Sequence, residues 1–552
     1  ELRDHLRKLG HTFATNSDTE VILHLYEELG EGCVRLLRGM FAFALWDIRN
    51  RRVFIARDHL GVKPLYYTQV AQRLIFGSEI KAILQHPEVQ PQMDLEALNS
   101  YLTLRYVPAP QTMFSGIYAL PPAHTLTCDD QGVRINRYWD VSFAPVMDNQ
   151  PEEAYTEQLE ALLYETVKLQ LMSDVPFGAF LSGGLDSSLV VALMSHFMNE
   201  PVKTFSVGYD GGGSSFSELP FARLVADKYG TDHHEVFVRA QDFVENMLKV
   251  TWHLDQPIAD YAEVAYYSVA KLAGQHVKMV LTGEGGDELF AGYGRYVGER
   301  FSTFFDHLPS SSKSLALNLS ERIPNLRRPK SALYALCQTD EATRFTNWIP
   351  LFNHNRKAHL LSNDLRKLLN GHSADEAFRQ QLKNTDAVDS LSRMLYVDTK
   401  LWLPDYLLSR GDKLTMAASL EARVPLLDYK LVEFAAALPP HLKLHQLTRK
   451  YLLKKVARRL LPPEIIDRKK QGFPVPVPMW FRSELHSFLR DTLSSATVRA
   501  RGLFDPEYVE KLLVEHETGF ADHATMLYGL MNVELWQRMF IDARKPVAAA
   551  AD

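Results

Sequence analysis

The sequence is poor in cysteine, has no long apolar run and carries only a small excess of negative charge. It contains three cysteines in 552 residues, Cys33, Cys128 and Cys337, and no two of them have the spacing of a disulfide framework or a metal site. We therefore expect a reducing compartment, the cytoplasm. No apolar stretch reaches the roughly 18 residues that a membrane span requires. The net charge of -6 argues against a general nucleic-acid binder, so the expected partners include neither membranes nor nucleic acids.

Residues 181–188, Leu-Ser-Gly-Gly-Leu-Asp-Ser-Ser, are the stretch around which the chain is organised. They follow an apolar run at 175–181 that is typical of a buried strand, and they precede a run at 189–194 that is typical of a packed helix. A strand that turns through two glycines into a helix presents backbone N–H groups at a positive helix N-terminus, which suits a phosphate chain. The pattern GxxxxGK[ST] is absent, so this is a different phosphate loop. A glycine turn whose serines only cap the helix is the alternative.

A second glycine-rich loop follows another predicted strand. Residues 282–288, Thr-Gly-Glu-Gly-Gly-Asp-Glu, place three carboxylates within five residues. Alone, such a loop is also typical of a solvated acidic turn that caps a helix. In a doubly wound sheet, however, ligands bind beyond the carboxyl ends of neighbouring strands, and acids that face phosphates require a divalent cation between them. Asp186 and Asp287 are therefore candidates for Mg²⁺ ligands, and Glu284 for orienting or deprotonating an attacking amine.

The chain changes character near residue 150. Before that point, hairpins at 41–58 and 65–77 beside helices predict an antiparallel α+β domain over residues 1–143. Residues 144–151 lack periodicity and are interpreted as a linker. Over 152–545 helices first alternate with short strands, which predicts a doubly wound parallel sheet, and beyond about residue 301 the pattern is helical with no further strong strand. Residues 546–552 are interpreted as a loose tail.

A series of short motifs resembles the glutamine-hydrolysing asparagine synthetase family, class II amidotransferases with an N-type ATP pyrophosphatase domain. In chain order the motifs are SDTEV at 17–21, GMFAFA at 39–44, RDHLG at 57–61, SEIK at 78–81, SGGLDSS at 182–188, GEGGDE at 283–288, EARVPLLD at 421–428 and RKKQGF at 468–473. Together they extend over nearly the whole chain. The resemblance implies an α+β N-terminal nucleophile hydrolase-like domain, truncated here, followed by an α/β doubly wound pyrophosphatase domain with a mostly helical C-terminal part.

The resemblance also implies a reaction. The first domain would release ammonia from glutamine, and the second would use ATP and Mg²⁺ to convert aspartate into β-aspartyl-AMP and pyrophosphate. Ammonia would pass between them through an internal tunnel and displace AMP to give asparagine. The implied partners are the small-molecule substrates aspartate, glutamine or ammonia, and ATP, and a homodimer is left open.

Carried over residue by residue, the resemblance assigns roles to specific side chains. ATP and pyrophosphate would be held by Ser182, Gly183, Gly184, Asp186, Ser187 and Thr282, with Phe180, Val207 and Gly283 framing the adenine; Asp186 and Asp287 would bind Mg²⁺; Glu284 would act at ammonia attack; Lys413 and Arg423 would lie near the substrates and phosphates; Lys470 would neutralise the departing pyrophosphate; and Asp18 would bind the α-amine of glutamine. Without the resemblance, isolated lysines and arginines on helices are mostly surface residues or structural ion pairs.

One part of the family pattern is missing. The family's nucleophile is an N-terminal cysteine whose free amine serves as its base, and the sequence lacks it. Cys33 lies in a helical stretch, where a packed thiol is expected. We therefore expect this polypeptide to use ammonia but not glutamine, and we expect the natural protein to carry a further N-terminal segment. An enzyme that naturally uses only ammonia is the alternative.

Two other functions stay open at this stage. A related amidotransferase could activate a different carboxylate, as β-lactam-forming synthetases and enzymes that amidate peptides or polysaccharides do. The pocket that binds the carboxylate substrate would distinguish these enzymes from an asparagine synthetase, and residues 255–260 are expected to form its wall. A non-catalytic ATP-binding regulator is a more distant alternative, because the candidate catalytic residues are all present.

Overall fold

A computed structural model of the chain describes residues 1–144, 150–210, 216–321, 327–369, 371–469 and 475–543. Most of the predicted linker, the predicted tail and Lys470 lie outside these residues, so the predictions made for them stay predictions.

Two antiparallel sheets form the N-terminal half. Their strands are β1 (Ala42–Asp47), β2 (Arg52–Arg57), β3 (Tyr66–Val70), β4 (Arg73–Gly77), β5 (Ile117–Ala119), β6 (His124–Asp129) and β7 (Gly132–Arg137), in the orders β1-β2-β6-β7 and β4-β3-β5. Both predicted hairpins are confirmed, as β1–β2 and β3–β4. Alternating side chains of β2 point to opposite faces: Phe54 and Ala56 pack among the helices, and Ile55 packs against the second sheet.

The helices of this half are α1 (Leu2–Lys8), α2 (Asp18–Leu29), α3 (Ile80–Ile83) and α4 (Leu95–Leu104), with a 3₁₀ segment at Gly30–Leu36. Ser17 caps α2 by accepting a hydrogen bond from the Thr19 N–H. Glu20 does not complete a capping box at Ser17, because its carboxylate accepts hydrogen bonds from the N–H groups of Ala14 and Thr15, at 2.6 and 2.7 Å. The Thr15 hydroxyl and these N–H groups lower the pKa of Glu20 to about 2.

A five-stranded parallel sheet forms the centre of the second half, as predicted. Its strands are β8 (Phe177–Phe180), β9 (Lys203–Tyr209), β10 (Asp232–Val238), β11 (Met279–Leu281) and β12 (Glu421–Arg423), in the order β10-β9-β8-β11-β12. The chain proceeds from β8 through β9 to β10 in one direction and then returns to add β11 on the other side of β8. The loops that follow β8 and β11 therefore meet at the point where the strand order reverses, which is where α/β sheets bind ligands.

Beyond residue 301, where the sequence predicts no further strong strand, the described residues contain three short strands. Strand β12 pairs with Met279–Leu281 along the edge of the parallel sheet, and β13 (Leu444–His445) pairs with β14 (Thr448–Arg449). Strand β12 escaped prediction because three residues, two of them charged, show no hydrophobic period. Backbone pairing with β11 is what holds it in place.

Helices surround the parallel sheet and make up most of the other described residues of this half. They are α5 (Glu152–Gln170), α6 (Leu185–Phe197), α7 (Leu219–Tyr229), α8 (Ala240–Leu254), α9 (Ala262–Gly274), α10 (Gly286–Leu289), α11 (Gly294–Glu299), α12 (Ser302–Asp306), α13 (Ser310–Glu321), α14 (Arg327–Leu336), α15 (Glu341–Thr346), α16 (His354–Leu360), α17 (Asn363–Leu369), α18 (Glu376–Asn384), α19 (Ser390–Val397), α20 (Ser409–Met416), α21 (Tyr429–Ala437), α22 (Pro440–Lys443), α23 (Tyr451–Ala457), α24 (Pro463–Ile466), α25 (Val477–Trp480), α26 (His486–Thr492), α27 (Ser495–Arg501), α28 (Pro506–Glu517) and α29 (Ala524–Trp536), with π-helical segments at Asp398–Leu408 and Gln537–Asp542. Among the helices of the described residues, none combines the length and apolarity of a membrane span.

The two halves share one hydrophobic core and are also joined by buried charge. The largest apolar cluster includes Leu98 and Tyr101 of α4 together with Leu527 and Met531 of α29. Asp255, which is fully buried, accepts hydrogen bonds from the backbone N–H groups of Ile80 and Lys81, at 2.9 and 3.1 Å. The SEIK motif of the first half is thereby fixed to the second half.

Candidate active site

The loop between β8 and α6 has the form of an anion cradle. Gly183 has φ +68°, and a Cβ at this position would lie 2.5 Å from the Ala222 N atom, so only glycine fits. The Ser182 hydroxyl oxygen lies 3.0 Å from that of Ser187 and accepts a hydrogen bond from the Gly184 N–H at 3.2 Å. Within the described part of the chain no side chain caps α6, so the N-terminus of a 13-residue helix faces this loop with donors available for a phosphate.

The loop after β11 lies directly against the first loop. A Cβ on Gly283 would lie 2.5 Å from the Ser187 N atom, and one on Gly286 would lie 2.5 Å from Asp186 Oδ1. The N–H of Thr282 donates to the Arg423 carbonyl at 2.9 Å, so β12 supports this loop. Glycine at 283 and 286 is therefore what allows the two predicted loops to touch.

The side chain of Lys450 forms ion pairs with both candidate metal ligands. Lys450 Nζ lies 2.5 Å from Asp186 Oδ2 and 2.7 Å from Asp287 Oδ1. Lys450 precedes α23 with φ +53°, and its N–H donates to the Phe290 carbonyl. Asp186 Oδ1 is buried and has no hydrogen-bond partner among the described residues. Two carboxylates that already enclose a positive charge, one of which has an unsatisfied oxygen, are suitable ligands for Mg²⁺. The residues present therefore fit the ion.

Sequence reasoning did not identify Lys450. It lies outside every quoted motif, in a Thr-Arg-Lys stretch that resembles an ordinary exposed turn. A non-glycine residue with positive φ is uncommon and marks a constrained position, but a backbone conformation cannot be deduced from the sequence alone.

A largely apolar cavity, open to solvent, adjoins the phosphate loop. Phe180 and Val207, both predicted at the adenine end, line it, together with Leu219 and Val269. Ser182 lies on its border, so the cavity and the cradle are continuous. An apolar slot next to an anion cradle fits a nucleotide, with the base in the slot and the phosphates on the loop.

Glu284 lies between the second loop and α20, where a Cβ on Gly411 would lie 3.0 Å from its Oε2 atom. Burial raises the pKa of Glu284 to about 7, and the Arg410 guanidinium, 4.0 Å away, opposes that shift. Arg410 is paired with Asp260. Its Nε atom and the Tyr266 hydroxyl are buried without a hydrogen-bond partner in the described part of the chain. Two unsatisfied donors beside a carboxyl group can bind a small polar acceptor, and Arg410 was not among the predicted site residues.

The basic segment around residue 468 reaches the phosphate loop. Arg468 Nη1 donates to the Gly183 carbonyl at 3.2 Å, and Nη2 pairs with Glu218 at 2.6 Å. The guanidinium also lies 4.0 Å from the centre of the Phe221 ring. Three contacts fix Arg468 beside the cradle, and Lys470, two residues further on, is outside the described residues.

Two other predicted cations lie elsewhere. Lys413 is buried and donates to Asp255 Oδ2 at 2.7 Å and to the Leu254 carbonyl at 3.0 Å. The Arg423 guanidinium pairs with Glu421 at 2.7 Å and donates to the carbonyls of Gln170 and Met172. The structure does not bring either side chain to the phosphate loop, because their donors are used in these structural contacts.

In the first half, Asp18 is exposed in the first turn of α2, where it accepts a hydrogen bond from the Ser17 hydroxyl at 3.4 Å. Cys33 is completely buried, and burial raises the pKa of its thiol to about 11. Burial also raises the pKa values of Cys128 and Cys337. Since the thiolate is the reactive form, the chain's three cysteines are not poised as nucleophiles, as predicted for Cys33.

Two family models match the chain. The Asparagine synthase model matches residues 158–538, which is more than half of the chain, and the Glutamine amidotransferase domain model matches residues 1–139.

Curated proteins are similar to this chain over most of its length. Asparagine synthetase (glutamine-hydrolyzing) 1 of Bacillus subtilis (strain 168) is 34% identical over 99% of this chain and 84% of its own length. Asparagine synthetase (glutamine-hydrolyzing) 3 of the same strain is 31% identical over 94% of this chain and 81% of its own length. Amidase chry2 of Gibberella zeae is 28% identical over 89% of this chain and 78% of its own length. With both family models matched in the expected order, this chain belongs to the asparagine synthase family.

Proposed function

We propose that this chain synthesises asparagine from aspartate, ATP and ammonia, with AMP and pyrophosphate as the other products. The observation that carries the proposal is the contact between two glycine-rich loops at the point where the strand order reverses. There Asp186 and Asp287 lie on either side of the Lys450 ammonium, beside an apolar cavity.

In this proposal ATP lies across the reversal point. The adenine occupies the cavity lined by Phe180 and Val207, and the phosphates lie on the Ser182–Ser187 loop at the N-terminus of α6. Thr282 would border the phosphates from the second loop, and its hydroxyl is buried without a hydrogen-bond partner among the described residues. Gly283, which was predicted at the adenine end, packs against the Ser187 N atom and is therefore proposed to border the phosphates as well. Arg468 holds the loop from the outside through the Gly183 carbonyl, and Lys470 is proposed to lie near the leaving pyrophosphate.

Asp186 and Asp287 would hold Mg²⁺, which supplies charge neutralisation between the phosphates when it is bound. Lys450 already supplies one positive charge at this position. An ammonium group that can move from carboxylates to phosphate oxygens contributes the same kind of neutralisation without a change in fold. Lys450 therefore joins the residues that we propose to act on the nucleotide.

Aspartate is proposed to bind between the second loop and α20. Its β-carboxylate oxygen attacks the α-phosphorus, and the bond from that phosphorus to the pyrophosphate oxygen breaks. The unsatisfied donors of Arg410 and Tyr266 suit the carboxylates of a small dicarboxylic acid, and Asp260 suits its ammonium group. We assign Lys413 to structure rather than to this step because its ammonium group is committed to Asp255.

Glu284 is proposed to accept a proton when ammonia attacks the activated carbonyl. The new C–N bond forms, the C–O bond to AMP breaks, and one ammonia proton passes to the Glu284 carboxylate. A pKa of about 7 lets this carboxyl group be substantially ionised at neutral pH and still accept a proton.

The assay that tests the function measures pyrophosphate release and asparagine formation with ATP, Mg²⁺ and L-aspartate, with ammonium or glutamine supplied in parallel. We expect both products with ammonium, and we expect no asparagine from glutamine, because the thiols of this chain are buried or have raised pKa values. Absence of aspartate-dependent pyrophosphate release from protein that still binds ATP would overturn the asparagine assignment.

The competing proposal is that the enzyme activates a carboxylic acid other than aspartate, and the similarity to a protein named an amidase supports it. In that case the same loops activate another carboxylate. Pyrophosphate release that depends on a different carboxylic acid, and not on aspartate, would favour it.

The pH dependence of the ammonia step provides a separate prediction. Glu284 must lose its proton before it can act as a base, so the rate, expressed per unit of free ammonia, should rise with pH and reach half of its maximum near pH 7. Glu284→Gln should lower that rate by about 10²–10⁴ and remove the rise. Initial rates of asparagine formation between pH 5.5 and 9 measure both effects. Glu288→Gln, on a neighbouring buried carboxyl group that the proposal does not use, is the matched control and should keep the rise.

A further inference from the structure

A group of histidine and glutamate side chains lies in the first half, apart from the candidate active site. It consists of His11, in the loop after α1, and His24 and Glu27 on α2. His24 Nδ1 lies 3.0 Å from His11 Nδ1 and 2.8 Å from Glu27 Oε2, and His11 Nδ1 lies 3.5 Å from the same Glu27 oxygen. Among the described residues this is the one group of three such side chains whose ligand atoms converge.

The hydrogen bonds within this group do not satisfy its atoms. His11 Nε2 lies 2.8 Å from Glu28 Oε1, and the tautomer that donates to this carboxylate leaves His11 Nδ1 as a lone pair. His24 Nδ1 then has one proton for two acceptors, His11 Nδ1 and Glu27 Oε2. Three electron-pair donors therefore converge on a single hydrogen atom.

The surroundings orient these side chains as they do in metal sites. Glu28 receives the outer N–H of His11, which is the carboxylate–histidine arrangement that fixes the tautomer of a metal ligand. Glu20 is held by Ala14 and Thr15 and adds negative charge 3.8 Å from His24 Nε2. That Nε2 atom is buried without a hydrogen-bond partner in the described part of the chain, which is consistent with Nδ1 being the nitrogen that the site uses.

We propose that His11 Nδ1, His24 Nδ1 and Glu27 Oε2 form a binding site for a divalent transition-metal ion of the zinc class. Ligand atoms about 2.0–2.1 Å from a tetrahedral Zn²⁺ lie about 3.3 Å from one another, and the three separations here are 2.8, 3.0 and 3.5 Å. Two imidazoles and one carboxylate suit Zn²⁺ better than Mg²⁺ or Ca²⁺. The Glu27 side chain is 60% exposed, which leaves room for water as the fourth ligand.

The site would link the segment before α2 to the helix itself. His11 precedes the 13–17 segment that leads into α2, and His24 and Glu27 lie in the second and third turns of that helix. The ion would thus brace the loop that positions Ser17 and Asp18 at the helix N-terminus. The inference rests on these side chains alone and does not depend on the proposed function.

Isothermal titration of ZnCl₂ into the untagged, EDTA-treated chain tests the proposal. We expect one saturable site that is weakened at least tenfold in His24→Gln and in Glu27→Gln. The Glu27 variant alters a largely exposed side chain, so it remains informative if His24→Gln does not fold. Co²⁺ in place of Zn²⁺ should give visible absorption bands with wild-type protein and not with Glu27→Gln.

His276→Gln is the matched control, because His276 and His234 form another close pair, with ring centroids 4.1 Å apart, outside the proposed site. Zinc binding should be unchanged in this variant. The proposal is overturned if wild-type protein shows no saturable zinc binding, if binding persists in both His24→Gln and Glu27→Gln, or if His276→Gln abolishes it.

Discussion

Asp186→Asn is expected to reduce aspartate-dependent pyrophosphate release about a thousandfold, because it removes a carboxylate that organises charge at the reacting phosphoryl group. The substitution keeps the shape of the side chain and removes its charge. The buried and unsatisfied Oδ1 of Asp186 is the atom most available to a bound cation. Removing the charge also leaves Lys450 with Asp287 as its one charged carboxylate in the described structure, so Lys450 and the proposed Mg²⁺ would each lose one of their two carboxylate partners.

The test compares turnover with nucleotide binding. Pyrophosphate release is measured at saturating ATP, aspartate and ammonium, and ATP binding is measured separately with and without Mg²⁺. We expect the Mg²⁺-dependent gain in ATP affinity to be lost in Asp186→Asn, with binding to the apolar cavity retained. Asp174→Asn, the same change on an exposed residue just before β8, is the control and should have wild-type activity. Wild-type turnover in Asp186→Asn would contradict the proposed site.

Asp255→Asn is expected to cause the largest loss of stability, about 3–5 kcal/mol, the usual cost of removing one partner from a buried charged group. Asp255 is fully buried and lies 2.7 Å from Lys413 Nζ and 2.9 Å from Lys81 Nζ. Asparagine tolerates the φ of +65° at this position, so the variant isolates the charge. Without it, the ammonium of Lys413 stays buried beside a neutral amide.

The dependence on pH has a definite sign. Burial alone would raise the pKa of Asp255, but Lys413 and Lys81 more than offset it and hold the pKa below the usual value. A depressed pKa contributes stability above the unfolded-state value, about 4, and that contribution disappears as the pH falls through the folded-state value. The difference in the free energy of unfolding between wild type and Asp255→Asn should therefore be largest near pH 7 and become smaller in acid.

Urea unfolding followed by tryptophan fluorescence measures this loss as a shift of the midpoint. Asp364→Asn, which alters a side chain that is 89% exposed, serves as the control and should shift it little. Adding Lys413→Met to Asp255→Asn should recover part of the loss, because it removes the uncompensated charge. An unchanged midpoint in Asp255→Asn would show that the two halves are not joined through this group.

The sequence predicted the parts of the site that depend on local pattern. Glycines at 183, 283 and 286 occupy positions where a Cβ would collide with backbone or with Asp186, and such positions are visible as glycine-rich loops after apolar runs. The parallel sheet followed from the alternation of helices and strands. The contact between the two loops then followed from a general rule about parallel sheets.

The sequence did not predict contacts that form between distant segments. Lys450 reaches Asp186 across 264 positions, and Arg410 reaches Asp260 across 150. The resemblance places Lys413 near the substrates and phosphates, yet in the structure its ammonium contacts Asp255 rather than the phosphate loop. The partner of a long cationic side chain is decided by packing, because several carboxylates are chemically equivalent choices until the fold selects one.

The position of Lys450 has a consequence for how the free protein maintains its two acidic loops. Two carboxylates this close repel each other, and a chain without an internal counter-ion would need a bound ion to keep them together during folding. Here the side chain of Lys450 is that counter-ion, and its backbone is fixed immediately before α23. Folding of these two loops would then not require a bound ion. In the proposed function, Mg²⁺ would replace the Lys450 ammonium between the carboxylates, and the incoming phosphates would give that ammonium a new partner. Joint binding of nucleotide and ion would therefore be favoured over binding of the ion alone.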